Sequence, residues 1–217
     1  MPGRPKILLA SQNPGKVREL RSILEAVGAE VVGLDEIDPL GAIAPPVEDG
    51  QTFAENARAK AAYYARATGL WALADDSGLR VDALNGAPGT RSARYAADRL
   101  PQGAERKEID AANNRKLLAA LEQVDDARRT GRFVCHLALS DGRDVLIEAT
   151  GTFEGQIGRF PAGNNGFGYD PLFYLPQLGC TAAQLPPERK NEISHRGQAA
   201  RKFARKLKEM LTRNGPP

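Results

Sequence analysis

Cysteine is nearly absent. Cys135 and Cys180 are the only two in 217 residues. They lack the spacing of metal ligands, and Cys135 sits in an apolar run, so both read as buried free thiols of a reducing compartment. A strong excess of one charge is also missing. Thirty basic against 27 acidic residues leave a net charge of +3, and without a clustered basic face this does not suggest a nucleic-acid partner. Long apolar runs are missing too. No stretch approaches a bilayer span. The apolar run Ile7–Ala10 is only four residues, too short for the core of a signal peptide. The expectation is a cytoplasmic protein without a membrane partner. Internal repeats and low-complexity blocks do not occur.

What is present is an ordinary globular composition, 41% apolar and 26% charged, long enough for one sizeable core in one domain, 1–217, with two lobes. The chain is organised around Ala74-Asp75-Asp76-Ser77-Gly78-Leu79. Leu70–Leu73 before it is a short apolar run of strand length, and Ser77-Gly78 reads as a turn. Neighbouring side chains in a strand point to opposite faces, so Asp75 and Asp76 should not do the same job. Acids at the end of a buried strand commonly hold Mg²⁺, which takes oxygen ligands and keeps several waters. A solvated Asp-Asp-Ser-Gly turn is the alternative.

Upstream, Ile7–Ala10 reads as a buried first strand. A helix follows, with Val17, Leu20, Leu24 and Val27 on one face, Asn13 as its N-cap, Pro14 in the first turn and Gly28 closing it. A helix N-terminus offers unpaired N–H groups to an anion, and Lys16 and Arg18 in its first turn, where the helix dipole disfavours cations, fit a bound phosphate. A plain helix start is the other reading, because the glycine spacing of a Walker loop is missing. Val31-Val32 reads as a second strand and 34–50 as a loop. Thr52 with Glu55 reads as a capping box opening a helix on which Asn56 and Lys60 lie four apart. Lys60 either snorkels to solvent or reaches into a polar cleft.

Further on, Arg80–Leu84 alternates like a strand. Arg91 and Arg94 either grip phosphate or cap a helix. Residues 105–121 form a helix, and Phe133–Leu139 with Asp144–Phe153 form a hairpin carrying His136 as a core or edge histidine. Gly163–Pro171 interleaves glycine with Phe167, Tyr169 and Asp170. Its glycines permit close approach of a ligand, and its aromatic rings offer faces for a base. Lys190 to Gly197 then leads into the last helix.

Taken together, the motifs resemble the inosine/xanthosine triphosphate pyrophosphatase family. They are Ser11–Lys16, Thr52–Ala57, Ala74–Leu79, Gly86–Gly89 with Ser92–Tyr95, Phe167–Pro171 and Ser194–Gly197, in family order over nearly the whole chain. Gln12 stands where a glycine is often found. The resemblance implies an α/β fold, with an elongated mixed sheet flanked by helices and two lobes around a central cleft. It implies a homodimer and Mg²⁺-dependent hydrolysis of ITP, dITP or XTP to the monophosphate and pyrophosphate. Carried over, Ser11, Gln12, Asn13, Pro14, Gly15 and Lys16 form the triphosphate loop. Asp76 is the catalytic carboxylate and, with Glu48, a metal ligand. Ser77, Phe167, Gly168, Tyr169, Asp170, Lys190, His195 and Arg196 bind substrate.

These residues suit the chemistry. Lys16, Lys60 and Mg²⁺ would offset the triphosphate charge. Asp76 would orient the attacking water and accept its proton, with Asp75 a second ligand or base. Arg196, His195 and loop N–H groups would read the 6-oxo group of the purine, Phe167 would stack on the base and Asp170 would accept from N1–H.

Overall fold

A computed structural model describes residues 6–11, 14–26, 28–39, 41–101 and 103–214. Seven strands form one mixed sheet: β1 (Lys6–Leu9), β2 (Glu30–Gly33), β3 (Trp71–Val81), β4 (Thr130–Ser140), β5 (Val145–Ile157), β6 (Phe173–Leu175) and β7 (Cys180–Thr181), in the order β2-β1-β3-β4-β5-β6-β7. β1 runs parallel to β2 and β3, Leu9 lying beside Gly33 and Leu73. β6 is antiparallel to β5 and β7. The helices are α1 (Pro14–Glu25), α2 (Leu34–Ile37), α3 (Phe53–Thr68), α4 (Arg106–Ala120), α5 (Pro187–Ile193) and α6 (His195–Asn214). This is the mixed α/β architecture expected. Among the described residues no helix is long and apolar enough to cross a membrane.

The chain packs as two units. The first comprises Met1–Asp76, Cys135–Gly151 and His195–Pro217, the second Ser77–Val134 and Thr152–Ser194. In the first unit, strand alternation sends side chains to two faces. Ile7, Leu9 and Leu73 pack with Leu20 and Leu24 of α1 and Phe203 and Leu207 of α6. Leu8, Ala10, Ala72 and Ala74 pack with Ala57, Ala61, Tyr64 and Ala65 of α3. Alanine on both sides of that second contact lets α3 lie close to the sheet. The second unit has its own core, where Phe173 packs on Phe133 and Phe153 at ring distances of 4.6 and 5.4 Å, joined by Leu79, Val81, Leu117 and Leu121.

The capping box opens α3 as expected: Thr52 Oγ1 accepts the Glu55 N–H at 3.1 Å, and the Glu55 carboxylate accepts the Thr52 N–H at 3.2 Å. Three readings are corrected. The 34–50 loop contains α2, a single turn too short to show a period, held where Glu36 accepts the Gly33 N–H at 2.8 Å and pairs with Arg21. The expected turn at Ser77-Gly78 is the middle of β3, and the glycine serves close packing instead. A Cβ on Gly78 would stand 2.7 Å from the Gly89 carbonyl and 2.8 Å from the Ser92 Cβ. β3 therefore ends at Val81, and Asp82–Leu84, expected as strand, is a 3-10 turn. The hairpin is longer than expected, and His136 lies within it, hydrogen-bonded to Glu148 at 2.8 Å and Thr150 at 2.9 Å.

Candidate active site

The alternation of β3 separates the two aspartates. Asp75 shares the face of Leu73 and lies under α1 and α6. Asp76 shares the face of Ala72 and Ala74 and lies under α3. Asp75 is 2% exposed. It ion-pairs with Lys16 from the first turn of α1 and with Arg196 from the first turn of α6, whose Nε is 3.4 Å away. The Cys135 thiol points at the same carboxylate, Sγ 3.6 Å from Oδ2. Burial pushes the Asp75 pKa up, but Lys16, Arg196 and Lys60 together hold it far below the usual carboxylate range. Burial, with the Asp75 charge adding to it, drives the Cys135 thiol well above its ordinary value. Asp75 is thus an ionised anchor for cations, and Cys135 is an inert thiol.

Asp76 has the opposite character. Its Oδ2 accepts from Asn56 Nδ2 at 2.9 Å. Burial raises its pKa, the Asn56 hydrogen bond and Lys60 lower it, and the Glu48 charge raises it again; the net direction is up. Such a carboxylate is a stronger base than an ordinary aspartate. Lys60 stands one turn after Asn56 on α3. It ion-pairs with Glu48 and donates to the Asp75 backbone carbonyl at 3.3 Å. Burial pulls the Lys60 pKa down, and Glu48, Asp75 and Asp76 outweigh it, so the ammonium is held charged. Lys60 therefore reaches a polar site rather than snorkelling. In this unit Lys16, Glu48, Lys60, Asp75, Asp76 and Arg196 form one alternating array of charge. Lys16 and Lys60 keep 18% and 14% of their side chains exposed, enough for a ligand to reach them.

Of the expected phosphate loop, Gln12 and Asn13 lie outside the described residues. Ser11 follows β1, its N–H bonded to the Leu9 carbonyl at 2.9 Å, and Pro14 and Gly15 open α1. His195 is buried at the start of α6, beside Arg196.

The second unit holds the remaining predicted residues. Ser77 lies on β3, half-buried. Asp170 is buried, ion-pairs with Lys190 of α5 and accepts the Phe167 N–H at 2.8 Å. Lys190 Nζ sits 5.1 Å from the centre of the Phe167 ring, a cation–π contact that fixes the ring's position. The Gly168 peptide is held from α4, its N–H by Asp110 at 2.9 Å and its carbonyl by Asn114 at 3.0 Å. Tyr169 does not offer an aromatic face. It is 4% exposed within the core, its hydroxyl donates to the Ser92 carbonyl at 2.8 Å, and burial lifts its pKa well above the ordinary value. Arg91 and Arg94 are exposed, on the 3-10 segment Gly89–Arg94.

Sequence reasoning missed the roles of Asn56, Cys135, Asp110 and Asn114. The available signal was the i, i+4 spacing of Asn56 with Lys60 and of Asp110 with Asn114, which puts each pair on one helix face.

Among the described residues, no cluster of three or more His, Cys, Asp or Glu side chains is assembled to hold a metal. Glu48 and Asp76 nevertheless fit a hard divalent cation. Both are oxygen donors, and each charge disfavours the other. Two carboxylates are also the protein share that Mg²⁺ usually takes, water and phosphate oxygens filling the rest.

The chain is 47% identical over 211 residues to the dITP/XTP pyrophosphatase of Methylococcus capsulatus, covering 95% of this chain and 98% of that one. It is 50% identical over 199 residues to the dITP/XTP pyrophosphatase of Nitratidesulfovibrio vulgaris, covering 91% and 93%. The structure of a HAM1 protein from Coxiella burnetii superposes with a TM-score of 0.82 at 43% identity, over 94% of this chain and 99% of that one. With residues 7–206 matched by the Ham1 family model, and with sheet and motifs in agreement, the chain belongs to the Ham1 family.

Proposed function

We propose that this chain is a nucleoside triphosphate pyrophosphatase working as a single domain on non-canonical purine nucleotides, ITP, dITP and XTP. The relatives named dITP/XTP pyrophosphatase support the substrate class. The observation that carries the mechanism is the opposed character of two adjacent aspartates, one neutralised by cations and one left basic.

Asp76 accepts a proton from water as the water oxygen attacks the α-phosphorus. The bond from that phosphorus to the bridging oxygen breaks, and pyrophosphate leaves with the electron pair. Lys16 and Lys60 offset the charge growing on pyrophosphate. Each ammonium has three donors, and their carboxylate partners fix where they sit. Asp75 holds Lys16 and Arg196 in place and stays out of the proton transfer. Glu48 and Asp76 would hold Mg²⁺, which when bound withdraws charge from phosphate oxygens and acidifies water.

The base is read by Arg196 and His195 as donors to the 6-oxo group, with Phe167 stacking. Adenine offers the reverse pattern at positions 6 and 1, so it would leave those donors unpaired. Asp170, already bound to Lys190 and the Phe167 N–H, braces the stacking ring rather than serving as a free acceptor. Ser77 and the residues from Ser11 to Gly15 bind the phosphates and sugar. Two free cysteines, one of them buried, suit the cytoplasm, and the family resemblance suits a homodimer.

The test is pyrophosphate release in Mg²⁺ from inosine, xanthosine, adenosine and guanosine triphosphates. Strong preference for the first two is expected. Equal turnover of all four would overturn the base-reading assignment, and no turnover of any would overturn the pyrophosphatase reading.

A further inference from the structure

We infer that Asn56 is the positioning residue that sets the mutual placement of Glu48 and Asp76. This rests on the metal-dependent reading above. Asn56 is 3% exposed, and both ends of its amide are used. Its Oδ1 accepts the Gly50 N–H at 2.8 Å, and its Nδ2 donates to Asp76 Oδ2 at 2.9 Å. The orientation of the amide is fixed by chemistry. A backbone N–H can only donate and a carboxylate can only accept, so the oxygen must face Gly50 and the nitrogen must face Asp76. Leucine, serine or a carboxylate cannot satisfy both at this reach.

The consequence concerns the segment Glu48-Asp49-Gly50, which belongs to no helix or strand. Two rungs from one face of α3 tie it down. Asn56 holds the Gly50 backbone, and Lys60, one turn on, holds the Glu48 carboxylate. Asn56 joins that backbone to the Asp76 carboxylate through a single side chain. Gly50 completes the device. A Cβ there would lie 2.6 Å from Asn56 Oδ1 and 3.0 Å from the Glu55 Cβ, so only glycine lets the backbone come close enough for the bond. Partners that orient metal ligands from behind typically matter about 10–100-fold in metal affinity.

The test is binding of Mn²⁺ to the nucleotide-free protein, read by electron paramagnetic resonance, beside thermal melting and the Mg²⁺ dependence of turnover. Asn56→Ala should weaken Mn²⁺ about tenfold or more and raise the Mg²⁺ needed for half-maximal rate by a similar factor, with KM for the nucleotide at saturating Mg²⁺ little changed. Gly50→Ala, which leaves every polar group present but displaces the amide, should do the same. Thr52→Ala removes the α3 cap without touching this chain of bonds; it should lower the melting point and leave Mn²⁺ affinity at the wild-type value. Loss of Mn²⁺ affinity in Thr52→Ala to the same degree, or wild-type affinity in folded Asn56→Ala and Gly50→Ala, would overturn the assignment. The Mn²⁺ readout needs no turnover, so this inference and the pyrophosphatase reading can fail separately.

Discussion

At the scale of the residue, Asp75 and Asp76 make opposite predictions from adjacent positions. Asp75 has a folded pKa held below its unfolded one, so its contribution to stability is present at neutral pH and is lost as the pH falls. Asp75→Asn leaves Lys16 and Arg196 facing a neutral group, one of them fully buried. Removing one partner of such a cluster costs about 3–5 kcal/mol. Asp76 has a folded pKa raised above its unfolded one, so its ionised form costs stability at neutral pH and the cost is relieved as the pH falls. Asp76→Asn should lower turnover about 10²–10⁴-fold yet melt at or above the wild-type temperature near pH 8, the difference shrinking toward about pH 4. Thermal melts of both variants at the two pH values check the pair. A destabilised Asp76→Asn together with a wild-type-like Asp75→Asn would reverse the assignment of anchor and base.

At the scale of the element, β3 shows what could be read in the sequence and what could not. The alternation rule needed only Ala72 to Asp76 to put the aspartates on opposite faces; α1 was legible from its period, α3 from its capping box and the hairpin from its strand pattern. The length of β3 was not legible. Ser77-Gly78 has the composition of a turn, and nothing local shows that the Gly89 carbonyl and the Ser92 side chain come to rest against it from a segment beyond. The same limit hid Cys135 and Asn56, whose roles depend on partners far along the chain. It also hid the burial of Tyr169, which has the composition of a stacking residue and the position of a core one. The packing account of Gly78 predicts that Gly78→Ala, harmless in an open strand, costs about 1–3 kcal/mol from overpacking. Denaturant melts of Gly78→Ala and Gly78→Ser decide it. Wild-type midpoints in both would overturn the packing account.

At the scale of the whole molecule, the two units have separate cores but not separate chains. The first is assembled from three segments and the second from two, and β3, β4 and β5 each run from one into the other. Unfolding either unit would release strands that the other requires, so the molecule should melt once. Arg129 tests this from the second unit. It is 2% exposed, and its guanidinium donates to the carbonyls of Leu121 at 2.7 Å, Ile157 at 2.8 Å and Gly158 at 3.1 Å. Burial lowers its pKa, a cost that these bonds offset. Arg129→Ala leaves three carbonyls without their donor, at roughly 3 kcal/mol, equivalent to about 6–12 °C for a chain of this size. The single tryptophan, Trp71, begins β3 and packs against the α1 and α6 core of the first unit, so its fluorescence reports the first unit alone. In Arg129→Ala the Trp71 transition should fall by the full amount and coincide with the loss of helical circular dichroism. If Trp71 melted at the wild-type temperature while part of the helix signal was lost earlier, the units would be independent despite their shared strands.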